Sequence, residues 1–392
     1  MKSTRNYYKL VYICENDLSH QIGGTIHVNQ ILRSFRKMDL DFTLIAPRYG
    51  KQELMLPEGI SVHLIRTPGI RILKWLYYYM ASSLLLIGIL LRHPRTVIYS
   101  REMPYNLFLP LIALLSDTPL LIELNGVFLN EMRELGYTQM TYTLSKFIEK
   151  LILLSAHRIT CVSERIREDI FRLHALPKQK MVTVPNGTDP AIFYPLEKTS
   201  CRHELGLSPE DYIVGFIGSC YPYHDIPALL SAIPIVRQKI VQIRVLIVGD
   251  GYMLSHWKQQ AERLGIAKRT TFTGYVPFHL ANQYINAFDI CFASYRANTS
   301  VFPMKILDYL ACDKAILTAD IPTINRYFDA SDHFRLVQPG NIDQITDSIY
   351  DLYRIRNRKI GKHRQIVLHN FTWHHTAERI KELIESSTRG AL

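Results

Sequence analysis

Cysteine is scarce in this chain: six residues in 392, at positions 14, 161, 201, 220, 291 and 312, with no two close enough to make a CxxC pair. That spacing argues against a disulfide framework or a zinc site, and it suits a reducing compartment in which each thiol is a small core residue. Low-complexity stretches, short-period repeats and long segments poor in apolar residues but rich in like charge are also missing, which excludes a disordered chain. No GxGxxG fingerprint follows the first strand-like run, so a nicotinamide dinucleotide site is not supported. RNP, zinc-finger and helix-turn-helix patterns are absent too, which removes nucleic acid from the expected partners despite a formal charge of +11. Residues 1–8 are polar and basic and lead into a strand, so they do not read as a secretory signal.

What is present fits a globular protein, with 47% apolar and 21% charged residues. The length calls for two domains. The positive charge attracts anions, of which nucleotide phosphates and anionic lipid are the expected ones. One segment raises a membrane question: Trp75 to Leu91 reads WLYYYMASSLLLIGILL, with Arg71 and Lys74 before it and Arg92, His93 and Arg95 after. Its place between the strand-like runs SVHLIR and TVIYSR makes a crossover helix packed on a sheet the first reading. Docking on a membrane surface is the second, and a transmembrane span, for which the run is barely long enough, the last.

Strand-like and helical runs alternate along nearly the whole chain. Strands are expected at Lys9–Cys14, Phe42–Ala46, Ser61–Arg66, Thr96–Arg101, Pro119–Asn125, Arg158–Ser163 and Met181–Pro185, with a helix from Thr25 to about Met38. The segment Pro185 to Pro195, with three prolines and a glycine in PNGTDPAIFYP, is the candidate boundary. Alternation then restarts, with strands at Tyr212–Gly218, Ile243–Gly249, Thr270–Thr273, Asp289–Ser294, Ala315–Ala319 and Phe334–Val337. Continuous apolar strands separated by helices indicate parallel sheets covered on both faces, hence two doubly wound α/β domains. Ligands of such sheets bind beyond the carboxyl ends of the strands, in a cleft between the two domains.

Three glycine-bearing loops follow strands: Gly23-Gly24 with His27, Gly218-Ser219, and Gly249-Asp250-Gly251. Each reads either as a close backbone approach to a phosphate or as an ordinary turn. In Phe302-Pro303-Met304-Lys305-Ile306-Leu307-Asp308, the proline opens a helix that sets Lys305 and Asp308 one turn apart. A lysine there suits a diphosphate and the carboxylate suits ribose hydroxyls, and a solvated ion pair is the bland alternative. His224 reads equally as a donor contact and as a structural hydrogen-bonding residue. Trp373-His374-His375 has no convincing zinc constellation and reads as packing between domains.

These motifs, taken in order, resemble the retaining glycosyltransferases of family 4, which have the GT-B fold. Gly23-Gly24 with His27 is similar to the family's N-terminal glycine loop, and Val184-Pro185-Asn186-Gly187-Thr188-Asp189 with Phe193 and Pro195 to its interdomain "VPNGVD…F.P" signature. Val248-Gly249-Asp250-Gly251, Phe272-Thr273-Gly274 and Phe288-Asp289-Ile290 resemble the run "VGDG…FTG…ADI". Pro303-Met304-Lys305 with Asp308-Tyr309-Leu310-Ala311 resembles "SPMK.FEYLA", and Asn370-Phe371-Thr372-Trp373 the "FSW" that opens the last helix. The resemblance implies two Rossmann-like domains facing a central cleft. An acceptor-binding domain would cover residues 1–190, a nucleotide-sugar-binding domain residues 191–369, and a helix packing back on the first domain residues 370–392. It implies transfer of a sugar from a UDP- or GDP-sugar to a glycan, lipid-linked or small-molecule acceptor, with no cofactor and no obligatory metal. The catalytic residues would be Lys305, His224 and Asn125, the last at the position of the family's N-domain histidine. Gly23, Gly24, Gly218, Ser219, Gly249, Asp250, Gly251, Ser300, Pro303, Met304 and Asp308 would bind the donor, with the amides of Gly23, Gly24, Gly218 and Ser219 on its diphosphate. His27, Arg101, Glu123 and Glu131 would line the acceptor side, with Glu102 beside them. A cytoplasmic location, peripheral on the inner membrane face, is expected from the charge and the 71–95 segment.

Departures from the family pattern are specific. The Glu-x7-Glu pair becomes Ser300 and Asp308, and the "AGKP" that follows becomes Cys312-Asp313-Lys314-Ala315. Asp225 stands where "YPYHG" has glycine, and Ser219 and His224 replace an arginine and a lysine. These changes keep two rivals open: a catalytically degenerate module that binds a sugar nucleotide or a partner, and a nucleotide-sugar epimerase.

Overall fold

The computed structural model describes residues 8–19, 23–49, 54, 56–296, 304–360 and 363–389. The chain divides into two compact units, one formed by the residues up to Asn186 with those from Trp373 on, the other by most of residues 187–372.

In the first unit the strands are β1 (Lys9–Ile13), β2 (Phe42–Arg48), β3 (Ser61–Arg66), β4 (Thr96–Arg101), β5 (Leu120–Leu124), β6 (Arg158–Cys161) and β7 (Met181–Thr183). The helices are α1 (Gly23–Lys37), α2 (Arg71–Arg92), α3 (Phe108–Leu115), α4 (Phe128–Glu134), α5 (Gln139–Ser155) and α6 (Glu164–His174). All seven strands are parallel, in the order β3-β2-β1-β4-β5-β6-β7. β4 and β5 are buried along their whole length, as strands covered by helices on both faces must be. β3 lies at the edge, and its alternating sequence exposes Ser61, His63 and Arg66. Helix starts follow capping chemistry: Thr138 accepts from the Thr141 amide to open α5, and Ser163 from that of Ile166 to open α6.

The long apolar run forms the crossover helix α2, consistent with the first reading. It is long and apolar enough to cross a membrane. One face nevertheless packs on the sheet, with Tyr78 and Leu86 fully buried. The Tyr78 hydroxyl donates to the Cys14 carbonyl (2.5 Å) and lies 3.2 Å from that of Ile45.

The second unit contains β8 (Tyr212–Ile217), β9 (Ile243–Val248), β10 (Thr270–Phe272), β11 (Ile290–Ala293), β12 (Ala315–Ala319) and β13 (Phe334–Val337), parallel in the order β10-β9-β8-β11-β12-β13. Around them lie α7 (Lys198–Glu204), α8 (Ile226–Val236), α9 (Leu254–Arg263), α10 (Ala281–Ala287), α11 (Met304–Ala311), α12 (Pro322–Asn325), α13 (Ile342–Arg354) and α14 (His363–Asn370). Phe216, Trp257, Phe292 and Leu317 are among its buried core residues. The last helix, α15 (Trp373–Arg389), belongs to the first unit, where it packs on α1 and Thr376 donates to the Pro185 carbonyl (2.8 Å). All six cysteines are buried free thiols.

In each sheet the strand order reverses beside the first strand, between β1 and β4 and between β8 and β11. The loops that leave β1 and β8 are therefore at the two switch points, where doubly wound sheets bind ligands.

Candidate functional site

In the second unit, β8 is followed by Gly218 with φ 142°, a conformation that only glycine adopts without strain. Lys305, in the first turn of α11, reaches over it: a Cβ on Gly218 would lie 2.9 Å from Lys305 Nζ. That ammonium is 3.0 Å from His224 Nε2 and 4.1 Å from the centre of the Phe216 ring. Burial pulls Lys305 down from 10.5 to about 7, against smaller opposing pulls from Cys220 and Asp308. Burial, and next the Lys305 charge, hold His224 well below its ordinary range. A neutral His224 that accepts from Lys305 at Nε2 carries its own proton on Nδ1, a buried atom with no partner among the described residues. Asp308, one turn beyond Lys305, accepts from the Thr188 hydroxyl (2.7 Å), and burial raises it to about 7 although that bond opposes the shift.

The neighbouring loop is locked to this one through backbone. A Cβ on Gly249 would lie 2.1 Å from the Gly218 carbonyl oxygen, and one on Gly251 2.8 Å from the Cys220 nitrogen. The Gly218 amide donates to Val248 (2.9 Å), so the expected use of that amide on a diphosphate is corrected: it is engaged within the fold. Asp250 is exposed, and its carboxylate accepts from the Gly251 amide (2.7 Å). The cation that reaches this loop is Lys305, in surroundings that hold its charge only weakly.

The first unit has a second cluster, at the carboxyl ends of β1, β4 and β5. Glu123, 1% exposed, accepts from the Tyr99 hydroxyl (2.6 Å) and from Asn125 (2.5 Å). His27 Nε2 lies 2.8 Å from it and Arg101 Nε 3.8 Å. Burial alone would raise the Glu123 pKa, yet His27 first, then Arg101 and the Asn125 bond, bring it to about 2. His27 Nδ1 is 2.9 Å from Asn186 Oδ1, and its ring stands edge-on to Trp373. Arg101 also donates to the Gly24 carbonyl (3.0 Å). Glu123, His27 and Arg101 were expected to touch an acceptor. Here Glu123 is enclosed by His27, Tyr99, Asn125 and Arg101, and Arg101 ties this network to the glycine loop through Gly24. More accessible carboxylates surround this network. Glu15 is raised to about 7 by burial against its bond from Tyr79, Glu102 well above its ordinary value by burial and then by Glu149, and Glu131 is exposed on α4.

Several sequence expectations thus fall into two groups. Lys305, His224, Gly218, Gly249, Gly251 and Asp308 come together in one unit, with Ser219 next in the chain to Gly218 and Met304 beside Lys305 on α11. Gly23, Gly24, His27, Arg101, Glu123, Asn125 and Glu131 lie at one end of the other sheet. Ser300 and Pro303 fall outside the described residues. The roles of Thr188, Phe216, Tyr99 and Glu15 were not foreseen, because each acts through a partner elsewhere in the chain. The departures from the family pattern have local consequences. Asp225 has φ −86°, so glycine is not required there, and its carboxylate accepts from the Gly340 amide (2.6 Å). Asp313 takes the left-handed φ of 52°, where a glycine would be unstrained.

The fold is that of the GT-B proteins: the structure of Anabaena HepE, solved in complex with UDP and glucose, superposes with a TM-score of 0.77 at 15% identity over 96% of this chain and 99% of that one. A family model described as Glycosyltransferase Family 4 matches residues 22–192, and one described as Glycosyl transferases group 1 matches residues 211–354. Both models are of glycosyltransferases, and together they span most of the chain. Among curated relatives, it is 27% identical to the D-inositol 3-phosphate glycosyltransferase of Nocardia farcinica over 60% of this chain and 53% of that one. It is 30% identical to the enzyme of the same name from Segniliparus rotundus over 38% and 33%. The match therefore spans a third to about half of these relatives' lengths.

Proposed function

We propose that this chain transfers a sugar from a UDP- or GDP-sugar to a hydroxyl of a glycan, lipid-linked or small-molecule acceptor, with retention of the anomeric configuration. The observation that carries this reading is the Lys305 ammonium lying over Gly218 at the switch point of the second sheet, its charge held at a pKa of about 7. In the reaction the bond from the anomeric carbon to the diphosphate breaks, its electron pair leaving with the diphosphate. The acceptor oxygen bonds to that carbon on the same face, and its proton passes to a departing phosphate oxygen. The protein's part is positioning and charge stabilisation, which need neither a covalent intermediate nor a bound cofactor. Lys305, partnered by neutral His224, meets the developing negative charge. A rim of carboxylates, Glu15, Glu102 and Glu131, suits an acceptor that presents several hydroxyls, and the curated relatives are named for a polyol phosphate.

The test is a panel of UDP- and GDP-sugars screened by thermal shift and by nucleoside-diphosphate release, with and without chelator, on wild type and Lys305→Ala. One donor is expected to stabilise the protein and to be turned over without added metal, with kcat/KM falling about 100-fold or more in the variant. Equal release by Lys305→Ala would sink the assignment. A product that stays nucleotide-linked would mark an epimerase, and binding without release for every acceptor tried would mark a binding module.

A further inference from the structure

We propose that the first unit docks on an anionic bilayer surface through a face made jointly by α2, α3 and α5. Large apolar side chains are expected to be scattered singly on a soluble surface, and a broad contiguous patch marks an interface. Here each of three helices carries an exposed apolar stripe. On α2 it includes Leu73, Leu76, Met80, Leu84, Ile87 and Leu91, spaced three and four apart, with Leu84 69% exposed. The opposite side of that helix is fixed to the sheet through Tyr78, so α2 lies along the unit and presents its stripe outward instead of crossing a membrane. On α5 the stripe is Met140, Leu144, Phe147, Leu151 and Leu154, and on α3 it includes Leu111, Leu114 and Leu115. α3 packs beside both α2 and α5, so the stripes lie on neighbouring helices.

Charge selects the occupant. α2 contributes Lys74 and Arg92, α5 contributes Lys146 and Lys150, and the turn after α2 adds exposed His93 and Arg95. The only acid whose side chain lies on these three helices is Glu149, which is buried and 2.6 Å from His174. A second copy docking by two-fold symmetry would bring these like charges together, whereas anionic headgroups would neutralise them. An apolar face bordered by Lys and Arg is the pattern of helices that lie in the plane of a bilayer interface. The buried free thiols fit the reducing side of such a membrane.

The experiment is flotation of the full chain with vesicles of phosphatidylcholine alone or mixed with phosphatidylglycerol. Recovery with the mixed vesicles is expected, weakening as salt rises. The triple substitution Leu84→Glu, Leu111→Glu, Phe147→Glu is expected to cut it about tenfold or more, and the pair Lys146→Glu, Lys150→Glu about tenfold on the anionic vesicles. All five positions lie outside the core, so both variants are expected to keep the wild-type melting midpoint and circular dichroism. No association with either vesicle, equal association of wild type and both variants, or a concentration-dependent dimer dissolved by the triple substitution would overturn the proposal.

Discussion

In the proposed reaction Lys305 meets the developing charge, and its protonation sets two pH dependences of opposite kind. Below about pH 7 the ammonium is charged in the empty site, and above it the free protein has shed that proton. A nucleoside diphosphate raises the lysine's pKa again, so affinity for UDP or GDP is expected to fall as pH rises from about 7 to about 9. Binding at about pH 8 should take up close to one proton, read by titration calorimetry in two buffers of different ionisation enthalpy. Lys305→Met should bind weakly and with no such slope, and a flat profile in the wild type would remove Lys305 from the diphosphate. For folding, Lys305 is depressed from 10.5, so its contribution is present above 10.5 and lost as pH falls through about 7. Asp308 is raised from 3.8, so its contribution is present below 3.8 and lost as pH rises through about 7, and Asp308→Asn should flatten that part of the stability profile. Glu123 is different in kind, being a buried charge compensated by His27 and Arg101. Glu123→Ala is expected to destabilise by about 3–5 kcal/mol in denaturant titrations, since the buried Arg101 loses its counter-charge and Tyr99 and Asn125 lose their acceptor.

The loops and helices of the second unit give a graded test at the next scale. Gly218 and Gly249 both have positive φ, but an added Cβ meets different atoms. At Gly249 it would meet the fixed carbonyl of Gly218, and at Gly218 the flexible tip of Lys305. Gly249→Ala should therefore lower stability more than Gly218→Ala, while Gly218→Ala should weaken nucleotide binding more than it lowers the melting midpoint. Asp313, left-handed just past α11, is the reverse case: Asp313→Gly is expected to stabilise by about 1 kcal/mol or less. This element scale is where the sequence was most legible. β3, β4, β12 and β13 begin and end at the residues that their patterns indicate, and most other strands agree within a residue or two, because alternation, continuous apolarity and turn residues are local signals.

Across the whole molecule, the two units share one plan, a parallel sheet with a reversal beside its first strand, yet carry opposite chemistry at that reversal. In the second unit the switch point holds a lysine bonded to a histidine, and in the first it gathers Glu15, Glu102 and Glu123 near one arginine. That asymmetry suits an anionic donor on one side and a hydroxyl-rich acceptor on the other. If so, UDP should slow amide exchange most around residues 218–220, 249–253 and 304–308, leaving the central strands of the first sheet little changed. At about 100 times its Kd, the nucleotide should add about 2.7 kcal/mol to the stability of the unit that binds it.

By itself the sequence determined the number of domains, the alternation of strand and helix, the glycine loops and the family signature, since all of these are written in short-range pattern. Tertiary structure alone decided what the individual side chains do. Glu123 looked like an acceptor contact until His27 from α1, with Arg101 and Tyr99 from β4, enclosed it. Lys305 and His224, 81 residues apart, became one group only when α11 was laid across the end of β8. The stripe on α2 was visible as an apolar run, whereas those on α3 and α5 look like ordinary core faces until the packing shows that nothing described covers them. Burial and pairing depend on which distant segments meet, and a local pattern carries no record of its partner.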